Sequence, residues 1–410
     1  MSEETHHNTE EAPTEQSAAT EKESGQLATV LQVLPALGAG GGVERGTIEV
    51  ARAISDAGGR SLVVSAGGSQ VHEVARANAE HFTLPVDSKN PFVLRANIER
   101  LERLIIDEKV DIVHARSRAP AWSAYYAAKR TDRAFVTTFH GTYGAGNPIK
   151  RKYNSVMTRG DRVIAISNFI AGHMRQHYGV QSSKIRVIHR GVDLTRFDPA
   201  KVSAERVATL AGQWRLDDGV PVVMLPGRLT RWKGQAVFLE AISRLGRKDL
   251  RCVLVGSDQG RTDYRRELED LIVRHDLASV VRIVDHCADM PAAYMLTDVV
   301  VSASTDPEAF GRIIPEAQAL GRPVIASDHG GARETVIEGE TGWLTPPGDA
   351  QILAATLEKV LSLDGSARRR LSKKAIAHVR SEFSKDAMCA KTLDVYNEVI
   401  TFKGPGGKQA

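Results

Sequence analysis

The chain has 410 residues, 42% of them hydrophobic and 25% charged, which is typical of a soluble globular protein with two domains of similar size. The net charge of +4 is unevenly distributed, because residues 1–26 hold seven Glu and one Lys while the remaining chain carries +10. A basic body favours anionic partners such as nucleotide phosphates or lipid headgroups, and the chain lacks the motifs of nucleic-acid-binding proteins. We find no signal peptide and no apolar run long enough to cross a bilayer. Three scattered cysteines argue against a disulfide framework or a metal site, so we expect a cytoplasmic protein.

The first half of the chain is predicted to form a parallel sheet. Residues 1–26 contain no large apolar side chain after Met1 and are predicted to be a disordered acidic tail. After them, short apolar runs alternate with helical patterns. Strands are predicted at 29–34, 61–65, 110–115, 134–139, 162–166 and 185–189, and helices at 43–57, 92–108, 119–129, 148–159 and 168–178. This repeated strand–helix order indicates a sheet covered by helices on both faces.

A second strand–helix series follows an interruption at residues 190–219, where Gly191, Pro199 and a charged segment break the rhythm. Strands are predicted at 221–225, 251–255, 280–284, 299–303 and 323–327, and only helices from 350 to 402. We predict domains at 27–198 and 199–383, with a final helix at 384–402. The fold class is therefore α/β, with two doubly wound Rossmann-like domains facing each other across a ligand cleft.

The stretch 302–321 carries two carboxylates, Glu308 and Glu316, with Phe310-Gly311-Arg312 between them. An apolar strand precedes it and a helical pattern follows. Glu308 is therefore predicted to lie in a loop and Glu316 in the first two turns of a helix. The pair is too far apart to share a proton, but it suits two ends of an elongated ligand. The helix N-terminus between them favours a phosphate.

Glycine-rich turns follow the first strand of each half. Arg228 and Lys233 lie in the turn at 227–234, which lacks the Walker spacing but can neutralise a diphosphate. The turn at 38–44 fails the dinucleotide fingerprint, because Val43 stands at the third glycine position. It is either a structural turn or a loop that touches a diphosphate or the acceptor, and NAD binding is disfavoured.

Two arginines and one histidine follow the carboxyl ends of predicted strands in the first half. Arg116 and Arg118 can point into the cleft and bind an anionic acceptor, or form a solvated charge pair. His140, followed by Gly141, favours an exposed imidazole in the cleft over a structural histidine.

The helix predicted from Pro148 is basic and also carries Tyr153, Val156 and Met157. It is either an ordinary solvated face or a surface that rests on an anionic membrane.

Four motifs together resemble a known family. They are the turn at 227–234, the pair Glu308 and Glu316 with seven residues between them, the run from Asp328-His-Gly-Gly to Glu334, and Gly41-Gly42-Val-Glu44. The chain resembles the retaining glycosyltransferases of family 4, which have the GT-B fold, from about residue 27 to residue 400. One departure is Arg190, at a position before Gly191-Val-Asp193 that is often Asn in this family.

The resemblance implies a role for each matching residue. The first domain would bind the acceptor, the second the nucleotide-sugar donor, and the last helix would pack back on the first domain. Glu316 would hold the ribose, and Glu308 and His140 would contact the transferred sugar. The diphosphate would be held by Arg228, Lys233, Gly42 and the backbone of Phe310, Gly311 and Arg312, and the base would dock near His286. His140, Glu308, Arg228 and Lys233 would carry the chemistry, and neither a metal nor a cofactor is expected.

The resemblance implies transfer of a hexosyl unit, with retention, from GDP-mannose or a UDP-sugar to a lipid-linked or lipopolysaccharide-core acceptor. The surroundings of residues 114–122 and the basic helix are similar to those of bacterial envelope enzymes. Such an enzyme would be cytoplasmic or peripheral on the inner face of the cytoplasmic membrane. The alternatives are a GT-B nucleotide-sugar 2-epimerase and a non-catalytic GT-B scaffold.

Overall fold

The computed structural model describes residues 28–38, 41–144, 146–216 and 219–403. The predicted acidic tail and residues 39 and 40 of the first glycine-rich turn lie outside these ranges. Within them the chain forms two parallel sheets with helices on both faces, which confirms the predicted fold class.

Seven strands of the described residues form the first sheet, in the order β3-β2-β1-β4-β5-β6-β7. Its strands are β1 (Thr29–Val33), β2 (Arg60–Ser65), β3 (Glu80–Thr83), β4 (Ile112–Ala115), β5 (Ala134–Phe139), β6 (Arg162–Ala165) and β7 (Ile185–Val187). Its helices are α1 (Gly42–Asp56), α2 (Val71–Arg76), α3 (Pro91–Asp107), α4 (Arg118–Arg130), α5 (Pro148–Asn154) and α6 (Asn168–Tyr178). Central strands such as β4 are buried along their whole length, as expected for a sheet covered on both faces.

The second sheet has six strands within the described ranges, in the order β10-β9-β8-β11-β12-β13. Its strands are β8 (Val222–Pro226), β9 (Arg251–Val255), β10 (Val281–Val284), β11 (Val299–Ser302), β12 (Val324–Ser327) and β13 (Trp343–Thr345). The helices of this half are α7 (Ala204–Trp214), α8 (Gln235–Leu245), α9 (Thr262–Arg274), α10 (Met290–Leu296), α11 (Ile313–Ala319), α12 (Ala332–Thr335), α13 (Ala350–Leu361), α14 (Gly365–Glu382) and α15 (Lys385–Lys403). Because strand order reverses beside β1 and β8, the carboxyl ends of both strands open onto a crevice.

The last helix, α15, returns to the first sheet. The Tyr396 hydroxyl lies 2.7 Å from Nδ1 of the buried His114, whose Nε2 lies 2.7 Å from the hydroxyl of Thr138. Glu398 accepts hydrogen bonds from Arg162 and Arg186 on neighbouring strands β6 and β7. These contacts join the end of the chain to the first half, so the two halves are linked twice.

The predicted basic helix at 148–159 is wrong in its second half. α5 ends at Asn154, and Ser155–Thr158 form a 3₁₀ turn. Val156 and Met157 are fully buried against the sheet, so they cannot rest on a membrane. Ile149 is instead the exposed apolar residue of this segment, 79% accessible and followed by Lys150, Arg151 and Lys152. No helix in the described part of the chain is both long enough and apolar enough to span a bilayer.

Candidate active site

A cavity of about 480 Å³ lies between the two sheets and is named here the Glu308 cavity. The second half contributes the turn after β8 and the loop between β11 and α11. The first half contributes the start of α1 and the ends of β5, β6 and β7. Its lining residues are Gly42, Val43, His140, Gly141, Thr142, Ile166, Arg190, Gly227, Arg228, Trp232, Lys233, Pro307, Glu308, Ala309, Phe310, Gly311 and Arg312. Most of the residues predicted to contact a donor are therefore brought together.

Lys233 and Glu308 form an ion pair in this cavity, with Nζ 2.7 Å from Oε1. The same oxygen accepts hydrogen bonds from the hydroxyls of Ser304, at 2.5 Å, and Ser302, at 3.4 Å. Burial alone would raise the pKa of Glu308, but Lys233 and the two hydroxyls lower it below its ordinary value. Glu308 is therefore an ionised acceptor held in a fixed position.

The position of Lys233 depends on Gly234. This glycine has φ of +73°, and a Cβ there would lie 1.8 Å from the carbonyl oxygen of Ala303. The close approach allows the turn after β8 to pack directly on the end of β11. Arg228, at the start of the turn, is exposed, and its carbonyl accepts a hydrogen bond of 2.9 Å from Gln235.

Glu316 opens onto a second, adjoining cavity of about 340 Å³, named here the Glu316 cavity. Oε1 of Glu316 lies 3.3 Å from Nη1 of Arg45 on α1 and 3.6 Å from Nε of Arg312. The Tyr294 hydroxyl donates to the other oxygen at 3.3 Å. Gly42 and Arg312 line both cavities, so the two cavities adjoin, with Glu316 lining one and Glu308 the other.

His140 differs from the exposed imidazole that the sequence suggests. Nδ1 accepts a hydrogen bond of 2.7 Å from Nη2 of Arg190, and Nε2 is buried without a hydrogen-bond partner among the described residues. Burial, followed by the charges of Arg190 and Arg116, holds the pKa of His140 well below its ordinary value. The ring is therefore neutral, and His140 is partly exposed and lines the cavity, so its contact with the transferred sugar stays a prediction.

Arg116 corrects the prediction of two arginines in the cleft. It is 3% exposed and donates a hydrogen bond of 3.0 Å to Gln32, beneath α1, so in this conformation it cannot contact an acceptor. Arg118 is half-buried, with its guanidinium 4.3 Å from the centre of the Tyr143 ring and a hydrogen bond to Asn154. A contact between Arg118 and an acceptor stays a prediction.

His286 lies on the exposed loop after β10 and lines neither cavity, so the structure does not bring it to the other predicted residues. Phe310 is 3% exposed, and its ring packs on His189 and Phe383. Only the backbone of Phe310 is therefore available to a ligand.

Glu334, in the motif at 328–334, bridges the two halves. It accepts hydrogen bonds of 2.7 Å from the backbone N–H groups of Asn168 and Phe169 at the start of α6. It also lies 2.8 Å from Nε2 of His189. The Glu334 side chain therefore caps a helix of the other half.

Several polar residues of the site carry no motif and were not predicted. Arg45 and Glu49 are one turn apart on α1, and Glu49 lies 4.0 Å from Arg312. The only signal in the sequence for this part of the site is that the two residues are one turn apart on a helix that begins with glycines.

Comparison with known proteins identifies relatives of both halves. Residues 40–196 match the Glycosyltransferase Family 4 model, and residues 208–378 match the Glycosyl transferases group 1 model. A D-inositol 3-phosphate glycosyltransferase of Xylanimonas cellulosilytica is 31% identical over 332 residues, which is 74% of this chain and 74% of that protein. The chain spans only 53% to 57% of three further curated relatives with the same name.

Two crystal structures are similar to about nine-tenths of this chain. A glycosyltransferase from Rickettsia africae is 39% identical, with a TM-score of 0.85 over 91% of this chain and 99% of that one. The Anabaena protein HepE, crystallised with UDP-glucose, is 25% identical, with a TM-score of 0.78 over 90% of this chain and 100% of that one.

Proposed function

This chain belongs to glycosyltransferase family 4, and from that premise we propose that it is a retaining hexosyltransferase that uses a UDP-sugar. Transfer of a sugar from a nucleotide donor follows from the family, and the UDP donor and retention are the proposal. The observation that carries it is the Lys233–Glu308 pair, which lies beside Arg228 on one wall of a cavity closed by the other half. HepE, crystallised with UDP-glucose, supports the choice of donor.

The charges of the Glu308 cavity suit transfer of a sugar away from a diphosphate. As the bond from C1 to the β-phosphate oxygen breaks, the electron pair remains on the phosphate and the sugar gains positive character. Arg228 and Lys233 stabilise the growing negative charge, and ionised Glu308 accepts hydrogen bonds from sugar hydroxyls. The ribose binds to Glu316 in the adjoining cavity, and displaces or shares its ion pair with Arg45.

Retention is proposed to occur by attack on the face from which the leaving group departs. The acceptor hydroxyl forms the new bond to C1 and gives its proton to the departing phosphate oxygen. Glu308 is then not required as a nucleophile. This agrees with its ion pair to Lys233 and its hydrogen bonds from Ser302 and Ser304, which occupy one of its carboxylate oxygens.

The proposed acceptor is anionic and belongs to a lipid-linked or lipopolysaccharide-core glycan. Arg118 and the exposed run Lys150, Arg151 and Lys152 give the first half a basic surface near the ends of β4 and β5. The names of the curated relatives make a phosphorylated inositol the rival acceptor.

A donor panel tests the proposal. UDP-hexoses, UDP-N-acetylhexosamines and GDP-mannose are each incubated with the protein and a membrane extract, and release of nucleoside diphosphate is measured. We expect release from a UDP-hexose and a higher donor KM with lower turnover for Glu316→Ala. Release from GDP-mannose alone would replace the proposed donor, and unchanged transfer by both Glu316→Ala and Lys233→Ala would contradict the site.

The acceptor and the reaction type need two further arms. Inositol 3-phosphate replaces the membrane extract in one arm, and efficient transfer to it would favour the rival acceptor. The other arm contains donor alone, and an epimer found by sugar analysis would favour the 2-epimerase. NMR of the glycosidic product reports its anomeric configuration, and an inverted product would refute retention.

A further inference from the structure

Arg190 is a buried cation on the wall of the Glu308 cavity. It follows β7, is 6% exposed, and lies on the side of the cavity opposite to Arg228 and Lys233. The first half of the molecule supplies it, whereas the second half supplies the other two cations.

The surroundings of Arg190 compensate its charge only in part, through the nearby carboxylate of Glu49. Its hydrogen-bond partner is Nδ1 of His140, at 2.7 Å, which is a neutral group. Among the described residues no carboxylate oxygen lies within ion-pairing distance of its guanidinium. Burial, followed by the neighbouring charges of Arg116 and Arg312, outweighs the attraction of Glu49 and lowers the pKa of Arg190 to about 9. A buried cation next to other cations is unfavourable unless an anion offsets it.

The geometry around His140 keeps the guanidinium in place. A guanidinium can only donate hydrogen bonds, so Nδ1 of His140 must carry the accepting lone pair. The second constraint is Gly46 on α1, because a Cβ there would lie 2.5 Å from Nη1 of Arg190 and 3.0 Å from Nη2 of Arg116. The missing side chain at Gly46 is what lets both guanidiniums pass beneath the helix.

We propose that Arg190 binds the β-phosphate of the nucleotide-sugar donor from the first half of the molecule, with His140 as its positioning residue. The inference rests on the proposed donor site and adds to it a third cation from the opposite wall. A diphosphate held between Arg190 on one side and Arg228 and Lys233 on the other ties the two halves together. An anion would also offset the desolvation that the buried guanidinium bears.

Comparing the affinities for UDP and UMP distinguishes binding of the β-phosphate by Arg190 from a purely structural role, because only UDP carries the β-phosphate. The full chain is titrated with each nucleotide in a calorimeter, as wild type, Arg190→Asn and Arg190→Lys. We expect Arg190→Asn to weaken UDP binding at least about tenfold and UMP binding about twofold or less, and Arg190→Lys to restore part of the loss. Arg52→Asn on the exposed face of α1 is the matched control, since it removes the same charge from the same half, and it should change neither affinity.

Gly46→Ala displaces Arg190 without removing its charge. Alanine favours the helix, and the atoms it meets are the flexible ends of two arginines, so the fold should persist. We expect the same selective loss of UDP affinity, and a smaller one for His140→Ala.

Three outcomes would overturn the inference. They are UDP affinity unchanged in Arg190→Asn, equal losses for UDP and UMP, and a loss confined to binding of inositol 3-phosphate, which would assign Arg190 to the acceptor. If Lys233→Met weakens UDP binding while Arg190→Asn does not, the inference fails and the proposed function stands. If wild type binds neither UDP nor GDP, the proposed function fails as well.

Discussion

Lys233 carries the largest share of the proposed chemistry at the scale of single residues, because it contacts Glu308 and lines the cavity that is proposed to hold the diphosphate. We expect Lys233→Met to lower kcat/KM for the donor by about 100-fold, the usual effect of removing one group that stabilises a developing negative charge. Steady-state release of nucleoside diphosphate measures it. Lys248→Met is the control, because Lys248 pairs with Asp276 on the exposed surface of the same half. A change within twofold for Lys233→Met would contradict the role.

The same substitution has a consequence for pH dependence. In the wild type, Lys233 and two serine hydroxyls outweigh burial and keep the pKa of Glu308 below its ordinary value. Without Lys233 burial acts with less opposition, so Glu308 takes up a proton at higher pH. As the pH is lowered, Lys233→Met should therefore lose its residual activity at a higher pH than the wild type does. The acid limb of its pH–activity profile should lie at higher pH. Superimposable acid limbs would show that ionised Glu308 is not required.

Sequence alone predicted the site residues that lie in motifs and not those that act across the cleft. The motif residues stand at fixed spacings beside glycines and strand ends. From their chemistry alone, Arg228 and Lys233 are predicted to neutralise a diphosphate, and Glu308 and Glu316 to contact two ends of an elongated ligand. Arg45 contacts Glu316 from 271 positions away, and no local pattern reports that distance.

The directions of the Arg116 and His140 side chains were not predicted, for a related reason. Their positions at strand ends were predicted correctly, but the direction of each side chain depends on partners in distant elements. Arg116 turns under α1 towards Gln32, and His140 turns towards Arg190.

At the scale of elements, Glu334 joins α12 to α6 of the other half. We expect Glu334→Gln to lower the free energy of unfolding by about 1–3 kcal/mol, because hydrogen bonds from two backbone N–H groups and His189 to a charged acceptor are weakened. Urea denaturation followed by circular dichroism measures it. Glu340→Gln is the control, since Glu340 pairs with Lys374 on the surface and should contribute less than about 0.5 kcal/mol.

The contribution of Glu334 should depend on pH. Burial alone would raise its pKa, but His189 and the backbone N–H groups lower it below the ordinary value of 4.5. The stabilisation is therefore complete above pH 4.5 and is lost as the pH falls through the lower pKa of the folded state. The difference between wild type and Glu334→Gln should shrink in acid, and a difference that grows there would contradict the assignment.

All eleven predicted strands lie within about two residues of observed strands, because buried strands are continuous apolar runs. Two strands were not predicted, and both lie at sheet edges: β3, with sequence Glu80-His-Phe-Thr, and β13, with only three residues. An edge strand can be short and need not be apolar on both faces, so it leaves no continuous apolar run in the sequence. α5 ended early because Val156 and Met157 belong to the core, which helical spacing does not reveal.

At the scale of the whole molecule, the basic surface around α5 predicts reversible binding to anionic membranes. Ile149 is exposed, and Lys150, Arg151 and Lys152 follow it, so attraction to anionic lipid should dominate and should weaken with salt. Cosedimentation with vesicles containing phosphatidylglycerol measures it at low and high salt. Replacing the three cations by Glu should abolish binding, whereas the same change at Arg369, Arg370 and Lys373 on α14 should have a smaller effect. No binding of the wild type at low salt would remove the hypothesis.

The central claim is that both halves of the molecule hold one nucleotide donor between them. A crystal structure of the full chain with UDP tests it most directly. We predict the ribose hydroxyls at Glu316, and the diphosphate between Arg228 and Lys233 on one side and Gly42 and Arg190 on the other. A nucleotide bound outside the two cavities, or held by residues of one half alone, would contradict the account.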